Sequence, residues 1–464
     1  MWSEGTQESG YGETVMREDQ PAQVPEAKQA GDIRTRWSWV EPSVWTDRML
    51  TALEEGVKGG VWFSLIDKVA SKRNLVAAAD KVIANRGGAG VDRVSVKQFQ
   101  RRIPKEVDKL HDSLKAGSYQ PQAIRRVFIP KPGSAEKRPL GIPTVRDRVV
   151  QTALRNVLEP IFERTFAEQS YGFRPGRGCK DALRQVAKLL AEGYRWVVDA
   201  DLKSYFDTIA HDKLMKRVRE DVADSRVLRL IESFLCQAVL EELGEWRPEK
   251  GTPQGAVISP LLANIFLNPL DHAVTREGFK MVRYADDFVV LCRTQEEAQR
   301  ALELIQEWTE REGLTLHPQK TKIVGLDDRN GFEFLGYHFR RSRRKPTKIN
   351  RWPRDKSLKN VRETLRPHTK RTNGNSLSYV ITKINPILRG WFEYYKHSTI
   401  RSDFQALDGW VRHRFRSTLR KRRKRKGRGR GADHQRWPNA YFTDLGLFSL
   451  VAAHENAVSQ SSQR

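Results

Sequence analysis

An adjacent pair of carboxylates in the second half of the chain constrains the fold more than any other feature. Asp286 and Asp287 lie in the segment 279–292, FKMVRYADDFVVLC, between two apolar runs rich in valine and aromatic residues. Aspartate favours turns, whereas valine, phenylalanine and tyrosine favour strands, so the segment predicts a hairpin with both carboxylates at its tip. A lone Asp-Asp pair in such a turn is usually only turn chemistry.

A second acidic segment supplies a partner for this pair. Residues 196–209, WVVDADLKSYFDTI, again place an apolar run before two acids, Asp199 and Asp201. Two strand ends that carry acids could meet side by side in one sheet. Three such carboxylates suit a pair of Mg²⁺ ions, which hold the attacking and leaving oxygens of a phosphoryl transfer.

The charge balance points to a polyanionic partner. The 464 residues carry a formal net charge of +26, which favours nucleic acid as the ligand. A chain of this length predicts about two or three domains.

The cysteine and hydropathy patterns exclude several classes of protein. Three cysteines without a CxxC pair predict a reducing compartment, no disulfide framework and no zinc module. No apolar run approaches the roughly 20 residues of a membrane span. The N-terminus lacks the basic-then-apolar pattern of a signal peptide, so we expect no membrane partner.

Several polar residues near these acids are candidate nucleotide contacts. Residues 125–143, RRVFIPKPGSAEKRPLGIP, predict a hairpin whose loop is flanked by Lys131 and Arg138. Such cations are commonly just solvated, but beside a metal site they could hold a triphosphate. Gln254, between Pro and Gly in GTPQGAVISP, could hydrogen-bond a nucleotide, although surface glutamines usually do nothing specific.

Three basic segments are candidate RNA contacts. The loop 171–178, YGFRPGRG, is consistent with backbone close to phosphates or with a simple tight turn. Residues 340–354 fit a linker or an RNA-facing strip. Residues 412–430 hold twelve Lys or Arg and no acid, a density that we expect phosphates to neutralise. The candidate RNA-binding residues are Arg174, Arg177, Arg343, Arg344, Lys345, Arg422, Arg423 and Lys424.

Between the last two basic segments, residues 385–397, NPILRGWFEYYKH, predict a helix. Asn385 would be its N-cap and Pro386 its first residue.

Seven motifs, in order, resemble the bacterial group II intron-encoded reverse transcriptase, or maturase, over about residues 75–453. They are the hairpin IPKP…RPLGIP, YGFRPGRG, DADLKSYFD, GTPQGAVISPLLANIFLN, RYADD, HPQKTK and FLGYHF; INPILRGWFEYY resembles the thumb or maturase helix of the family. The resemblance implies an α+β right-hand polymerase, with fingers, a palm built on an antiparallel sheet, a helical thumb and a basic C-terminal segment.

The acidic composition of the N-terminus and the resemblance together divide the chain into expected domains. They are a disordered acidic arm (1–40), an N-terminal extension of the fingers (41–120), the reverse transcriptase fingers and palm (121–340), the thumb or maturase domain (341–405), and a basic C-terminal segment, a remnant of a DNA-binding region (406–464).

The catalytic carboxylates of the family match Asp201, Asp286 and Asp287. The resemblance implies two Mg²⁺ ions, with Mn²⁺ as a substitute. Asp201 and Asp286 would be the principal ligands, the Leu202 carbonyl would assist, and Asp287 would support them.

The nucleotide-binding residues of the family match five further positions. Lys131 and Arg138 would contact the triphosphate. Phe206 would stack under the sugar and exclude a 2′-hydroxyl, which makes the substrate a deoxynucleotide. Gln254 would lie near sugar and base, and Lys320 would assist the departing pyrophosphate.

The expected function is RNA-directed DNA synthesis by two-metal nucleotidyl transfer, joined to intron splicing and mobility. The expected partners are group II intron RNA, an RNA template with a DNA primer, dNTPs and target DNA, in the bacterial cytoplasm and on the nucleoid during mobility. The alternatives are a splicing-only maturase and a related reverse transcriptase domesticated for host defence.

The C-terminus departs from the pattern of many family members. Those members carry a Cys/His zinc endonuclease, whereas this sequence stops about eleven residues after Ala453. We therefore expect that the protein cannot cut the second DNA strand itself. Synthesis would then be primed from an existing 3′ end.

Overall fold

The computed structural model describes residues 30–57, 59–130, 137–241, 244–327, 331–342, 345, 348–429 and 431–462. Lys131, Arg343, Arg344 and residues 1–29 of the predicted arm lie outside this part of the chain. The last residues of that arm differ from the prediction of disorder, because they form a helix and bury Ile33 and Val40.

The N-terminal part is a helical layer that supports a small sheet, the expected arrangement of fingers. Trp45 is fully buried at its centre and donates a 2.9 Å hydrogen bond to the carbonyl of Asn156. The elements are α1 (Ala30–Arg36), α2 (Asp47–Glu55), α3 (Ile66–Val69), α4 (Lys72–Ala84), α5 (Val96–Gln100), α6 (Ile103–Ala116), β1 (Ile124–Pro130), β2 (Lys137–Ile142) and α7 (Val145–Glu163).

The central part contains the palm sheet, whose strand order is β6-β7-β3-β8 with antiparallel neighbours. The fingers sheet has the order β2-β1-β4-β5. The elements are α8 (Cys179–Ala191), β3 (Trp196–Asp201), α9 (Tyr205–Thr208), α10 (His211–Asp221), α11 (Ser225–Leu235), β4 (Val239–Glu241), β5 (Gly244–Trp246), α12 (Ser259–Arg276), β6 (Lys280–Tyr284), β7 (Asp287–Cys292), α13 (Gln295–Glu312) and β8 (Lys322–Gly325).

Alternate side chains of the palm strands face two different cores, because successive residues of a strand point to opposite sides. Val198 and Val290 pack into the core that contains α12 and α13. Val197 and Val289 pack into the core shared with α8 and the C-terminal helices. The sheet is therefore buried on both faces, and the acids Asp201 and Asp287 lie where its central strands β3 and β7 end and begin.

The C-terminal part begins with a three-stranded sheet, and most of its remaining described residues form helices. Its sheet has the order β11-β10-β9. The elements are β9 (Phe332–Phe334), β10 (Tyr337–Arg341), β11 (Ile349–Pro353), α14 (Asp355–Leu365), α15 (Leu377–Tyr395), α16 (Ser402–Arg422), α17 (Gly431–Arg436), α18 (Asn439–Asp444) and α19 (Leu450–Ser462).

Three sequence predictions for this part need correction. Segment 340–354 is no linker, since its described ends pair as antiparallel strands, with Arg341 opposite Ile349. The helix predicted from 385 begins at Leu377 with Ser376 as N-cap, and Pro386 lies inside it. Asn385 instead binds the carbonyl of Gly446 and the amide of Phe448. Finally, α16 runs unbroken across the boundary predicted at residue 405.

In the described ranges, no helix has both the length and the apolar character needed to cross a membrane.

Candidate active site

The predicted hairpin at the acidic pair is confirmed. Strands β6 and β7 pair in antiparallel register, with Tyr284 opposite Asp287, and Ala285 and Asp286 form the turn between them. Ala285 has a positive φ of 60°, which is uncommon for a residue with a side chain. The turn is therefore a strained feature, held by the structure around it.

The palm sheet brings the two acidic segments together. Asp201, the last residue of β3, lies directly opposite Asp287, the first residue of β7. Asp286 is the next residue in the turn. The expectation that acids from two distant segments end side by side in one sheet is thus met in the register of β3 and β7.

The environment of these acids disfavours their charged forms. Burial, together with the carboxylates of Asp199, Asp286 and Asp201, raises the pKa of Asp287 to about 7. Burial raises the pKa of Asp286 as well, and the Asp201 charge adds to this rise. Burial also raises the pKa of Asp199 to about 6. Divalent cations between these groups would relieve the repulsion.

Lys320 neutralises one member of the group. Its Nζ lies 2.6 Å from Oδ2 of Asp201. The amide of His317 donates a 2.7 Å hydrogen bond to the Asp201 carbonyl, which ties the loop of Lys320 to the end of β3. Leu202, the next residue, forms an isolated bridge with Leu316. The same loop thus holds both Asp201 and the backbone beside it.

The donor set suits Mg²⁺, although the side chains do not form a complete cage. Among the described residues, no group of three or more His, Cys, Asp or Glu side chains is placed closely enough to hold a metal ion. Magnesium in polymerase-type sites takes only one or two carboxylates, and substrate phosphates and water supply the other ligands. Asp201, at the end of β3, and Asp286, in the adjoining turn, are two carboxylates of this kind.

The raised pKa of Asp287 predicts a pH-dependent stability penalty in metal-free buffer. Because the folded-state pKa lies above the unfolded value of about 3.8, the native state binds more protons between about pH 4 and 7, and stability falls as pH rises through this window. Asp287→Asn should therefore raise the free energy of unfolding by roughly 2–4 kcal/mol at pH 8 and hardly at all at pH 4. Denaturant titrations with EDTA measure this, with the exposed Glu307→Gln as control; a pH-independent effect would contradict it.

Phe206 and Gln254 line one cavity of about 480 Å³ between the fingers sheet and the palm. Phe206 is half-buried and meets the ring of Tyr205 edge-on at 5.5 Å. The amide nitrogen of Gln254 donates a 3.4 Å hydrogen bond to Oδ2 of Asp207. The structure therefore brings these two predicted nucleotide contacts together.

Arg138 does not line that cavity, although the next residue, Pro139, does. Arg138 is exposed on β2, opposite Ile129 of β1. Its expected partner Lys131 lies outside the described residues.

The prediction that Arg174 binds RNA is wrong, because this side chain is structural. It is 3% exposed, makes an ion pair with Glu163 at 2.7 Å, and donates to the carbonyls of Ala167 and Ser170. Arg177 is half-buried, and its guanidinium donates to the carbonyl of Glu168. The YGFRPGRG loop is thus fastened through its arginines to the end of α7 and to the backbone of residues 167–170.

The basic run 412–430 divides into buried and exposed residues. Arg416 is 2% exposed and donates to the Trp437 carbonyl and to Oδ1 of Asn439, both at 2.9 Å. Arg420 forms an ion pair with the buried Asp433. The predicted RNA contacts Arg422, Arg423, Lys424 and, in the β10–β11 connection, Lys345 are exposed.

The sequence analysis missed a buried polar group beneath the turn formed by Ala285 and Asp286. Arg283 and Asp271 are both fully buried and form an ion pair, and Asn264 joins them. The available signal was the pair Asn264 and Asp271, seven residues apart on one face of α12, among the buried apolar residues of that helix. Gly172, from the YGFRPGRG motif, also lies against this turn.

Comparison with known protein families agrees with this geometry. Residues 129–339 match the model "Reverse transcriptase (RNA-dependent DNA polymerase)". Residues 358–437 match "Group II intron, maturase-specific domain". Protein YkfC of Escherichia coli K12 is 34% identical over 356 residues, which cover 66% of this chain and 86% of that protein. The chain belongs to the group II intron-encoded reverse transcriptase and maturase family.

Two further comparisons are more limited. The group II intron-encoded protein LtrA of Lactococcus lactis is 42% identical over 178 residues, 38% of this chain, and the match spans only 30% of that relative. The match to a solved structure of telomerase from Candida albicans, in complex with a fragment of telomeric RNA, covers 70% of this chain and 64% of the telomerase chain. The sequence identity is 13% and the TM-score is 0.41. A score this low supports no inference.

The family membership confirms two sequence predictions. The first is the α+β reverse transcriptase fold, and the second is a function that joins reverse transcription to group II intron splicing and mobility.

Proposed function

We propose that the chain is an RNA-directed DNA polymerase whose nucleotidyl transfer uses Asp201, Asp286 and Asp287. One observation carries this proposal: Asp201 faces Asp287 across the paired strands β3 and β7, with Asp286 in the adjoining turn. The raised pKa values of Asp286 and Asp287 support it, since such shifts are frequent where function, and not stability, selects the arrangement.

Asp201 and Asp286 would hold two Mg²⁺ ions, with Mn²⁺ able to substitute, and the Leu202 carbonyl and Asp287 would assist. When bound, Mg²⁺ would lower the pKa of the primer 3′-hydroxyl, whose proton would pass to solvent, and would screen the phosphate charge. The 3′-oxygen attacks the α-phosphorus of a dNTP, and the bond to the bridging oxygen of the leaving pyrophosphate breaks. Lys320, next to Asp201, would neutralise or protonate the pyrophosphate, and Arg138 and Lys131 would contact the triphosphate.

Phe206 would select deoxynucleotides by occupying the space that a 2′-hydroxyl needs. Phe206→Val should therefore raise the ratio of kcat/KM for rNTPs to that for dNTPs by about 10–100-fold, because a pocket that excludes by volume alone is relieved by removing that volume. Single-nucleotide incorporation on an RNA template measures the ratio. Phe63→Val, which replaces an exposed aromatic in the N-terminal part of the chain, is the control. An unchanged ratio for Phe206→Val would contradict the assignment.

Primer extension tests the proposed activity directly. The purified protein, a DNA primer on an RNA template and dNTPs with Mg²⁺ should yield full-length DNA. Replacing dNTPs by rNTPs, or adding EDTA, should remove the product. Extension with rNTPs alone, or extension that survives EDTA, would refute the proposal.

We also propose that the protein binds its own group II intron RNA and assists its splicing, in the bacterial cytoplasm. The maturase-specific match over 358–437 and the exposed basic residues Arg422, Arg423 and Lys424 support this. Phosphate contacts by these three cations would make binding salt-dependent. Replacing all three by glutamine should reduce the magnitude of the negative slope of log K for RNA binding against log salt concentration by up to about three. An unchanged slope would contradict the proposed phosphate contacts.

Target DNA remains a proposed partner during mobility. It would be met on the nucleoid, where the copied intron is integrated.

A further inference from the structure

The proposed catalytic turn, formed by Ala285 and Asp286, is hydrogen-bonded by a buried arginine. Arg283, three residues before Asp286, is fully buried, as is its partner Asp271. Nε and Nη2 of Arg283 donate to the two carboxylate oxygens of Asp271 at 2.7 and 2.5 Å. Nη1 donates to Oδ1 of Asn264 and to the carbonyl of Ala285, both at 2.9 Å. Every nitrogen of the guanidinium is therefore bonded.

We propose that Arg283 is a positioning residue that sets the affinity of the catalytic turn for divalent cations. It acts by holding the carbonyl of Ala285 and, through the next peptide bond, the orientation of Asp286. This inference rests on the proposed function, because it takes Asp286 as a metal ligand. Neither Arg283 nor its partner Asp271 is itself a ligand in this proposal.

Backbone strain shows why the turn needs this support. The left-handed conformation of Ala285 costs roughly 1–2 kcal/mol relative to ordinary backbone. A residue in such a conformation persists only where its surroundings determine it. The hydrogen bond from Arg283 to the carbonyl of Ala285 supplies one such restraint inside the hairpin itself.

The backbone of Arg283 is also hydrogen-bonded to a neighbouring loop, residues 169–172. The amide of Arg283 donates to the Gln169 carbonyl at 2.9 Å, and the Arg283 carbonyl accepts from the amide of Tyr171 at 2.8 Å. The side chain of Asn264, which accepts from Arg283, also donates to the carbonyl of Gly172 at 2.8 Å. Helix α12, the loop 169–172 and β6 are thus joined through one guanidinium and one amide.

The chemistry of the ion pair indicates a positional role. A buried ion pair is rarely better for stability than well-packed apolar residues, because desolvation offsets its attraction. A guanidinium, however, presents five donors in a rigid plane and can bind a carboxylate, an amide and a carbonyl together. Lysine keeps the charge but cannot reproduce that planar set. Replacement by lysine therefore separates charge from geometry.

The test compares Arg283→Lys with Arg416→Lys. Arg416 is the matched control, since it is also buried and also donates to one carbonyl and one asparagine Oδ1, but in α16. We expect both variants to lose stability. Only Arg283→Lys should weaken binding of Mn²⁺ to the nucleotide-free protein, by about 10–100-fold, as is typical for residues that orient metal ligands. Electron paramagnetic resonance of free Mn²⁺ gives the affinity, and primer extension gives the Mg²⁺ requirement, which should rise in parallel.

A milder variant covers the case in which Arg283→Lys does not fold. Asn264→Ala removes one acceptor of Arg283 and the bond to Gly172, and we expect a smaller loss of Mn²⁺ affinity, on the order of threefold to tenfold. Unchanged affinity in the folded variants, or an equal loss in Arg416→Lys, would overturn the role of Arg283. Equal Mn²⁺ binding by the wild type and by Asp286→Asn would instead overturn the metal site of the proposed function, a result that is distinguishable because it needs no change at Arg283.

Discussion

Replacing Asp286 and Asp287 together by asparagine should lower cDNA synthesis by at least about 10³-fold while leaving intron RNA binding within about twofold of wild type. The loss corresponds to roughly 4 kcal/mol of transition-state stabilisation, the scale expected when metal-held charge compensation disappears. RNA binding should persist because the exposed cations Arg422, Arg423 and Lys424, at the C-terminal end of α16, lie in another part of the chain from β6 and β7. Primer extension and a filter-binding titration with intron RNA measure the two effects.

The double variant Glu307→Gln with Glu310→Gln is the matched control. It removes two exposed acids from α13, which packs behind the palm sheet, and should change neither activity nor binding. A loss of RNA binding equal to the loss of polymerisation would contradict the separation of the two sites.

Gly172→Ala should disturb the catalytic turn from outside. A Cβ at this position would lie 2.2 Å from the Ala285 amide nitrogen and 2.8 Å from the Tyr284 carbonyl carbon, so backbone must move. We expect a stability loss of about 1–3 kcal/mol from overpacking and a drop in kcat of about 10²-fold from displacement of Asp286. Denaturant unfolding and single-turnover incorporation measure these effects.

Gly390→Ala separates this effect from the general consequences of replacing glycine. Gly390 lies inside α15, and a Cβ there would meet no atom within 4 Å. Its replacement should stabilise the protein by about 0.5–1 kcal/mol, because alanine favours the helix, and should leave kcat unchanged. If Gly172→Ala behaved in the same way, the close contact with the turn would be refuted.

The hairpin and the strand end at Asp201 could be predicted from the sequence because their signals are local. Apolar β-prone runs that end at acids specify strands and place carboxylates at their ends. The register that puts Asp201 opposite Asp287 is not local. The register depends on which residues of β3 and β7 face each core. The sequence therefore indicates only that the two acidic strand ends could lie side by side, and not which residues pair.

The roles of individual arginines could not be predicted in the same way. Arg174, Arg416 and the exposed Arg422 look alike in sequence, since each lies in a basic or glycine-rich stretch. Only the fold shows that Arg174 contacts Glu163 and that Arg416 contacts Asn439. Neither a sequence motif nor a hydrophobic pattern identifies these partners. The sequence prediction that Asn385 caps a helix is wrong for the same reason, because the partners of Asn385 come from the C-terminal segment 446–448.

Anomalous diffraction from Mn²⁺ in a crystal of the protein with primer, RNA template and a non-hydrolysable dNTP analogue tests the central claim most directly. The account predicts Mn²⁺ between Asp201 and Asp286, in contact with the triphosphate. Manganese bound elsewhere, with Asp201 still paired to Lys320 and no ion at the turn, would contradict it.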